Sequence, residues 1–393
     1  MTPLKGITVV TLEHAIAAPF ATRQLADLGA RVIKVERPGM GDFARGYDER
    51  VRGLASHFVW TNRSKESLTL DVKHPEAQVI LQRLIMEQAD IVVQNLAPGA
   101  AARLGLSYAA LSEKKPGLIV CDISGYGNDG PYRDKKAYDL LIQSEAGFVS
   151  VTGSPDEPAK AGPSIADISA GMYAYTNILA ALLQRGKTGR GQHIDISMLE
   201  SLVEWTSYPL YYAFDGAAPP PRTGASHATI YPYGPFPAGD GKTVMLGLQN
   251  EREWALFCSK VLQAPELATD PRFAGNSKRS AARAELRALI VDAFAALTAA
   301  EVVARLDEAG IANANVNTMS EVWSHPQLAA RGRWTEVASP VGNIPALLPP
   351  GSWEEGAPRM DAVPSLGQHT DAILGQLGYD AVRIAQLRAE QAV

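Results

Sequence analysis

Among the carboxylates of this chain, Asp167 has the most informative surroundings. It stands in the segment Gly162–Met172, at the head of a long apolar helix that the pattern predicts from about Ile168 to Leu183. Aspartate is a favoured helix N-cap, because its side chain accepts from the first unpaired backbone amides. The same terminus, with its oriented amides, also stabilises a carboxylate that has chemistry to do. Local sequence leaves both roles open. Other reactive types are sparse. Cys121 and Cys258 lie far apart in apolar surroundings, so they read as small buried hydrophobes rather than a disulfide or half a zinc site. The 7 histidines are scattered without ligand spacing, and no metal is expected. The loop Glu13–Pro19 lacks the glycines that let a backbone approach a dinucleotide pyrophosphate. Gly186, Lys187 and Thr188 follow a helix and lack the upstream glycine of a phosphate-binding loop, and no nucleophile-elbow pattern occurs.

The elements that must position these residues alternate. Ile7–Leu12 is a β-branched run, Ala18–Leu28 a helix ended by Gly29, and Arg31–Glu36 a second strand. Strand, helix and strand within about thirty residues make a βαβ unit, hence a parallel sheet. Strands at Glu66–Asp71, Asp90–Gln94, Gly117–Ser124 and Gln192–Met198, with a helix opening near Pro75, extend the pattern. The fold class is therefore α/β, a Rossmann-like doubly wound large domain. The proline-rich stretch Gly216–Arg222 marks a linker. Residues 1–215 form the first part of the large domain, 225–325 a smaller α+β domain, and 326–393 a return segment with a terminal helix from Thr370. A length of 393 residues suits two such domains. The net charge of −5 argues against a nucleic-acid partner, though a few clustered cations suffice for a phosphate-bearing ligand. No apolar run approaches the ~20 residues needed to span a bilayer, and the N-terminus lacks a signal-peptide layout, so a cytoplasmic location is expected.

Four segments carry a further reading: Gly29–Pro38 with Gly41 and Asp42, Asn95–Gly99 with Arg103–Gly105, Ser124–Gly127, and Lys187–Gln192. In this order and spacing the chain resembles, over essentially its whole length, the class III coenzyme A-transferases. That family includes formyl-CoA and carnitine-CoA transferases and the α-methylacyl-CoA racemases. The resemblance implies a two-domain protomer, an interlocked homodimer, no tightly bound cofactor, and acyl-CoA and carboxylic acid as substrates. It makes Asp167 the nucleophile, attacking a thioester to form an aspartyl anhydride and then an aspartyl-CoA thioester.

The other site residues follow from the same resemblance. Coenzyme A carries a 3′-phosphate and a pyrophosphate, which call for fixed cations; these would be Arg37, Lys73, Arg103 and Lys136. His14, Ala15, Leu70, Asn95 and Leu96 would line the pantetheine and adenine path. Tyr138 and Asp139 fall near the nucleophile. The racemases carry a His-Asp pair there, and a phenol with an ordinary pKa of about 10 is a poor substitute base at neutral pH. Transfer is therefore favoured over the alternative, racemase-type isomerisation, and over a non-catalytic CoA-binding relative. The segment Arg222–Phe236 lacks the glycine-rich flap of formyl-CoA transferases and looks closer to the branch that handles C4–C5 dicarboxylic acids. Arg45, Arg52, Arg222 and His227 are candidates for a distal carboxylate.

Overall fold

The computed structural model describes residues 2–354 and 356–393. Six strands form one parallel sheet in the order β3-β2-β1-β4-β5-β6: β1 Thr8–Leu12, β2 Arg31–Glu36, β3 Lys65–Thr69, β4 Ile91–Gln94, β5 Ile119–Ser124 and β6 His193–Ser197. Every neighbouring pair is parallel, with Val10 opposite both Ile33 and Val92 in the centre. Such a sheet must be covered on both faces, which is why β1, β2, β4 and β5 are rich in Val and Ile, while the edge strand β6 alternates. One face packs against helix α1 (Ala17–Asp27) and the long helix Ile165–Thr188. The other packs against Pro75–Gln88 and the two C-terminal helices Thr370–Gln376 and Ala381–Ala389. The strand order reverses between β1 and β4, and in open α/β sheets the crevice beyond the strand ends at such a reversal is where ligands bind.

Two compact units result. One comprises Met1–Phe148, Ala161–Ser207 and Leu328–Val393; the other comprises Val149–Lys160 and Tyr208–Gln327. The second has its own core around Trp254, Phe257, Phe273 and Phe294, and a three-stranded antiparallel sheet of Tyr233–Pro237, Thr243–Gly247 and Ala312–Asn315. Residues 149–160 depart from the sequence reading, which placed them in the first domain. Arg222 explains the difference: its guanidinium donates to the carbonyls of Ser150, Ser154 and Pro155, tying that loop to the 208–327 segment. Among the described residues, no helix is long and apolar enough to cross a membrane.

Helix limits also shift. The long helix begins three residues earlier than expected and runs through Thr188, because Gly189, with φ 70°, and not Gly186 supplies the left-handed stop. The terminal helix is two, separated at Gly378 with φ 85°.

Candidate active site

The local geometry at Asp167 departs from a simple cap. Ser164 is the N-cap residue and makes no side-chain cap bond, so Asp167 sits within the first turn as its third helical residue. The free amides at this earlier start are satisfied from another helix. Asp139, at the start of the short helix Asp139–Glu145, accepts through Oδ1 from Ala166 N at 2.8 Å and Asp167 N at 3.3 Å. Its Oδ2 accepts from Gln143 Nε2 at 2.6 Å. Gln143 is fully buried, and its Oε1 in turn accepts from Ala161 N at 2.9 Å. The cap is thus supplied in trans. No described residue donates a hydrogen bond to the Asp167 carboxyl itself. Burial, and secondarily the charge of Asp139, push that carboxyl up to about 7.

Close packing fixes where this helix lies. A Cβ on Gly171 would stand 2.7 Å from Ala17 O and 2.9 Å from Phe20, so only glycine allows the contact with α1. Asp167 precedes Gly171 by four residues and shares its helix face. It therefore looks toward the turn that leads from β1 into α1. A second glycine, Gly125, leaves room for Ala137, whose side chain would lie 2.2 Å from an added Cβ. That passage brings the segment with Tyr138 and Asp139 over the end of β5.

A phenol, Tyr47, lies close enough to feel the charge of this carboxyl. Burial raises the Tyr47 hydroxyl above its ordinary pKa, and the negative charges of Asp42 and Asp167, with Tyr138, add to the effect. Tyr47 was not anticipated from sequence. Its only signal is its place in the loop that begins at Gly41-Asp42, since an aromatic there fits no periodic pattern. Tyr138, which was anticipated, is largely exposed.

Beyond the strand ends lies a cleft of about 260 Å³. Its wall collects one turn from each of four strands: Leu12 and His14 after β1, Glu36 and Arg37 after β2, Leu70 to Lys73 after β3, and Leu96 after β4, with Met40 and Phe43 along one side. Of the residues expected along a coenzyme, the cleft gathers His14, Arg37, Leu70, Lys73 and Leu96. Arg37 and Lys73 are exposed cations at its rim. Asn95 supports rather than lines it, bonding the backbone N–H and carbonyl of His14, each at 2.9 Å. Ala15 adopts φ 60° and donates its N–H to Asp42 at 3.0 Å. Burial lowers the His14 pKa, with Asp42 pulling the other way. Arg103, in the short helix Ala100–Arg103, and Lys136, in the loop before Asp139, are exposed and do not line the cleft.

The four distal-carboxylate candidates are engaged elsewhere. Arg45 forks onto both oxygens of Glu36 at 2.8 Å and lies over the Phe58 ring at 3.7 Å. Arg52 donates to the Asn343 carbonyl. Arg222 holds the 150–155 loop, as described. His227 accepts at Nδ1 from Thr229 and Ile230 amides and stacks on Tyr233, which organises its own turn.

Comparison with known proteins bears on this arrangement. The model of CoA-transferase family III matches residues 4–370. The succinate–glutarate CoA-transferase of Agrobacterium fabrum is 34% identical over 95% of this chain and 96% of its own. The succinyl-CoA–D-citramalate CoA-transferase of Chloroflexus aurantiacus is 33% identical over 100% of this chain and 98% of its own. A CAIB/BAIF family protein from Brucella suis, of known structure, is 35% identical and superposes with a TM-score of 0.84, covering 96% of this chain and 99% of that one. With a parallel six-stranded sheet and a family match across nearly its whole length, the chain belongs to CoA-transferase family III.

Proposed function

We propose that this enzyme moves coenzyme A from succinyl-CoA, or another C4–C5 dicarboxylyl-CoA, to a second carboxylic acid, with Asp167 as the covalent nucleophile. The observation that carries the reading is the state of Asp167: a carboxyl with no hydrogen bond of its own, raised to about 7, at a helix start whose amides Asp139 occupies. Basicity and nucleophilicity rise together, and a carboxylate freed from hydrogen bonds attacks without first shedding them.

The cycle balances as follows. An Asp167 oxygen adds to the donor thioester carbonyl and the C–S bond breaks, giving an aspartyl-acyl anhydride and the CoA thiolate. The thiolate adds to the Asp167 carbonyl and expels the donor acid, leaving an aspartyl-CoA thioester. The acceptor carboxylate repeats the first exchange on that thioester, and the thiolate then takes the acceptor acyl group and frees Asp167. Anhydride and thioester have comparable reactivity, so each step is a near-even exchange. Arg37 and Lys73 would bind phosphate groups, while Tyr47, and Tyr138 next to Asp139, would donate to oxygens that gain charge in the exchange.

The named substrates of the relatives support a dicarboxylate, since they include glutarate and citramalate alongside succinyl-CoA. The interlocked homodimer belongs to the same proposal. Trp205, Tyr208, Leu210, Tyr211 and Phe214 are all exposed along Met198–Gly216, an apolar run that a second copy would cover. The test is intact mass after incubation with succinyl-CoA and a panel of acids. A hydroxylamine-sensitive adduct on Asp167, lost in Asp167→Ala while CoA binding persists, is the expected result. Acyl exchange without such an adduct would refute the covalent route, and α-deuterium uptake without transfer would refute the transferase.

A further inference from the structure

The turn that carries His14 is held by side chains that do not line the cleft. Four backbone groups surround this residue, and three side chains take all of them. Lys34 Nζ donates to the Glu13 carbonyl at 3.3 Å. Asn95 binds the N–H and the carbonyl of His14 itself, each at 2.9 Å. Asp42 Oδ1 accepts from Ala15 N at 3.0 Å. Lys34 and Asp42 are joined by a 2.7 Å ion pair, and both are wholly buried. Asp42 also accepts from Ala44 N at 2.9 Å, and its own N–H donates to Glu36. One carboxylate thereby fixes the β1–α1 turn and the residues that flank Phe43, whose ring stacks on the His14 imidazole at 4.6 Å. His14 and Phe43 both face the cleft.

Behind the pair lies a second buried cation. Lys65 Nζ donates to Glu13 Oε1 at 2.6 Å, to Pro19 O at 3.0 Å and to Asn62 Oδ1 at 3.1 Å. Glu13 also accepts from Thr11 and Thr22. Two buried lysines and two buried carboxylates are thus concentrated under one turn of backbone. Removing ions from water costs several kcal/mol each and is seldom the most stable way to fill a core. Ala15 at φ 60° adds strain, since non-glycine residues seldom hold that conformation unless their surroundings enforce it.

We propose that Asp42, held by Lys34, is a positioning residue of the coenzyme cleft: the buried pair locks the His14–Ala15 turn so that the His14–Phe43 wall is preformed before coenzyme A arrives. This rests on the reading of the cleft as the coenzyme site and goes beyond it by assigning affinity to residues that touch no part of the ligand. Binding to a preformed wall avoids the ordering cost of the loop, so loosening the turn weakens binding without removing a contact.

Asp42→Asn tests it. Asparagine keeps an oxygen for Ala15 and Ala44 N–H but loses the pair with Lys34. Calorimetric titration with coenzyme A itself should show Kd raised about tenfold, the scale of one lost charged hydrogen bond. In turnover the KM for acyl-CoA should rise more than kcat falls. The control is Asp27→Asn, which breaks the buried Asp27–Arg23–Arg63 cluster of α1 away from the cleft. It should lower Tm yet leave Kd unchanged, separating position from stability. Equal Kd in wild type and Asp42→Asn would overturn the inference alone. Should Asp42→Asn fail to fold, hydrogen exchange on the wild type decides. Amides 14 and 15 protected in the free protein support the preformed turn; protection appearing only with coenzyme A overturns it. A wild type that binds no coenzyme A at all refutes the reading of the cleft, and this inference with it.

Discussion

Replacing Asp167, the proposed nucleophile, should stabilise the fold, and by an amount that depends on pH. In the folded chain the Asp167 carboxyl is raised from the ordinary 3.8 to about 7, with burial the larger cause and Asp139 the smaller. In the unfolded chain it titrates at its ordinary value. Between those two values the folded state holds a proton that the unfolded state has lost, so stability falls as pH rises through that window. Taken at face value the shift corresponds to about 4 kcal/mol. Asp167 keeps partial exposure, and solvent screening brings the expected penalty down to about 1–2 kcal/mol. Asp167→Asn removes the charge and retains the shape, and its amide can donate where a carboxylate repels Asp139. At pH 5 the unfolded carboxyl is already ionised while the folded one is not, so part of the penalty is present and the variant should melt only slightly higher. At pH 8 the variant should melt roughly 2–5 °C higher. Every other titrating group is common to the two proteins and cancels in the difference. Paired thermal melts at several pH values measure this directly. A difference in Tm that does not grow between pH 5 and pH 8, or a variant less stable at pH 8, would refute the claim that Asp167 is held at a cost in stability.

Two further outcomes follow from the same geometry. Asp139→Asn keeps a carbonyl oxygen for the Ala166 and Asp167 amides but removes the like charge, so the acid limb of the kcat/KM profile should move to lower pH; an unchanged limb would mean that Asp139 does not reach Asp167 electrostatically. Lys73→Ala or Arg37→Ala should raise KM for an acyl-CoA about tenfold, and whichever cation meets the 3′-phosphate should show no such effect with the dephospho-CoA thioester, compared by steady-state kinetics.

How far the sequence foretold this molecule varies with the physics at each place. Strands β1, β2, β4 and β5 were legible because strands covered on both faces must be Val- and Ile-rich, and such runs show in any window. Helix limits were less so. Gly186 and Gly189 are equivalent as letters, and only the backbone shows that the second takes the left-handed turn. Loop 149–160 joins the second unit through three carbonyls gripped by Arg222, a contact across about seventy residues that leaves no periodic trace. The cleft wall draws a residue or two from each of four turns, so no local window contains it; the resemblance supplied five of those residues and local reasoning supplied none. Arg45, a candidate for a distal carboxylate, pairs with the Glu36 carboxylate buried on β2, a partner that no spacing in the sequence announces.

Asp167 shows why local reading fell short at the decisive residue. An aspartate near a helix start is expected to cap, and capping by its own side chain would give it hydrogen bonds from the free amides and lower its pKa. Here the helix starts at Ile165, so the amides Asp167 would have capped bond within the helix, and the free amides of Ala166 and Asp167 go to Asp139, itself braced by Gln143 and through it by Ala161. The trans cap has two effects on Asp167 that act together. It removes the hydrogen bonds that would have lowered the basicity of the carboxyl, and it adds a like charge that raises it. A helix start satisfied by a neighbour therefore leaves its own acidic residue in the state that the proposed attack on a thioester calls for. No pattern within the helix could reveal this, because the residue that makes the difference lies 28 positions earlier in the chain.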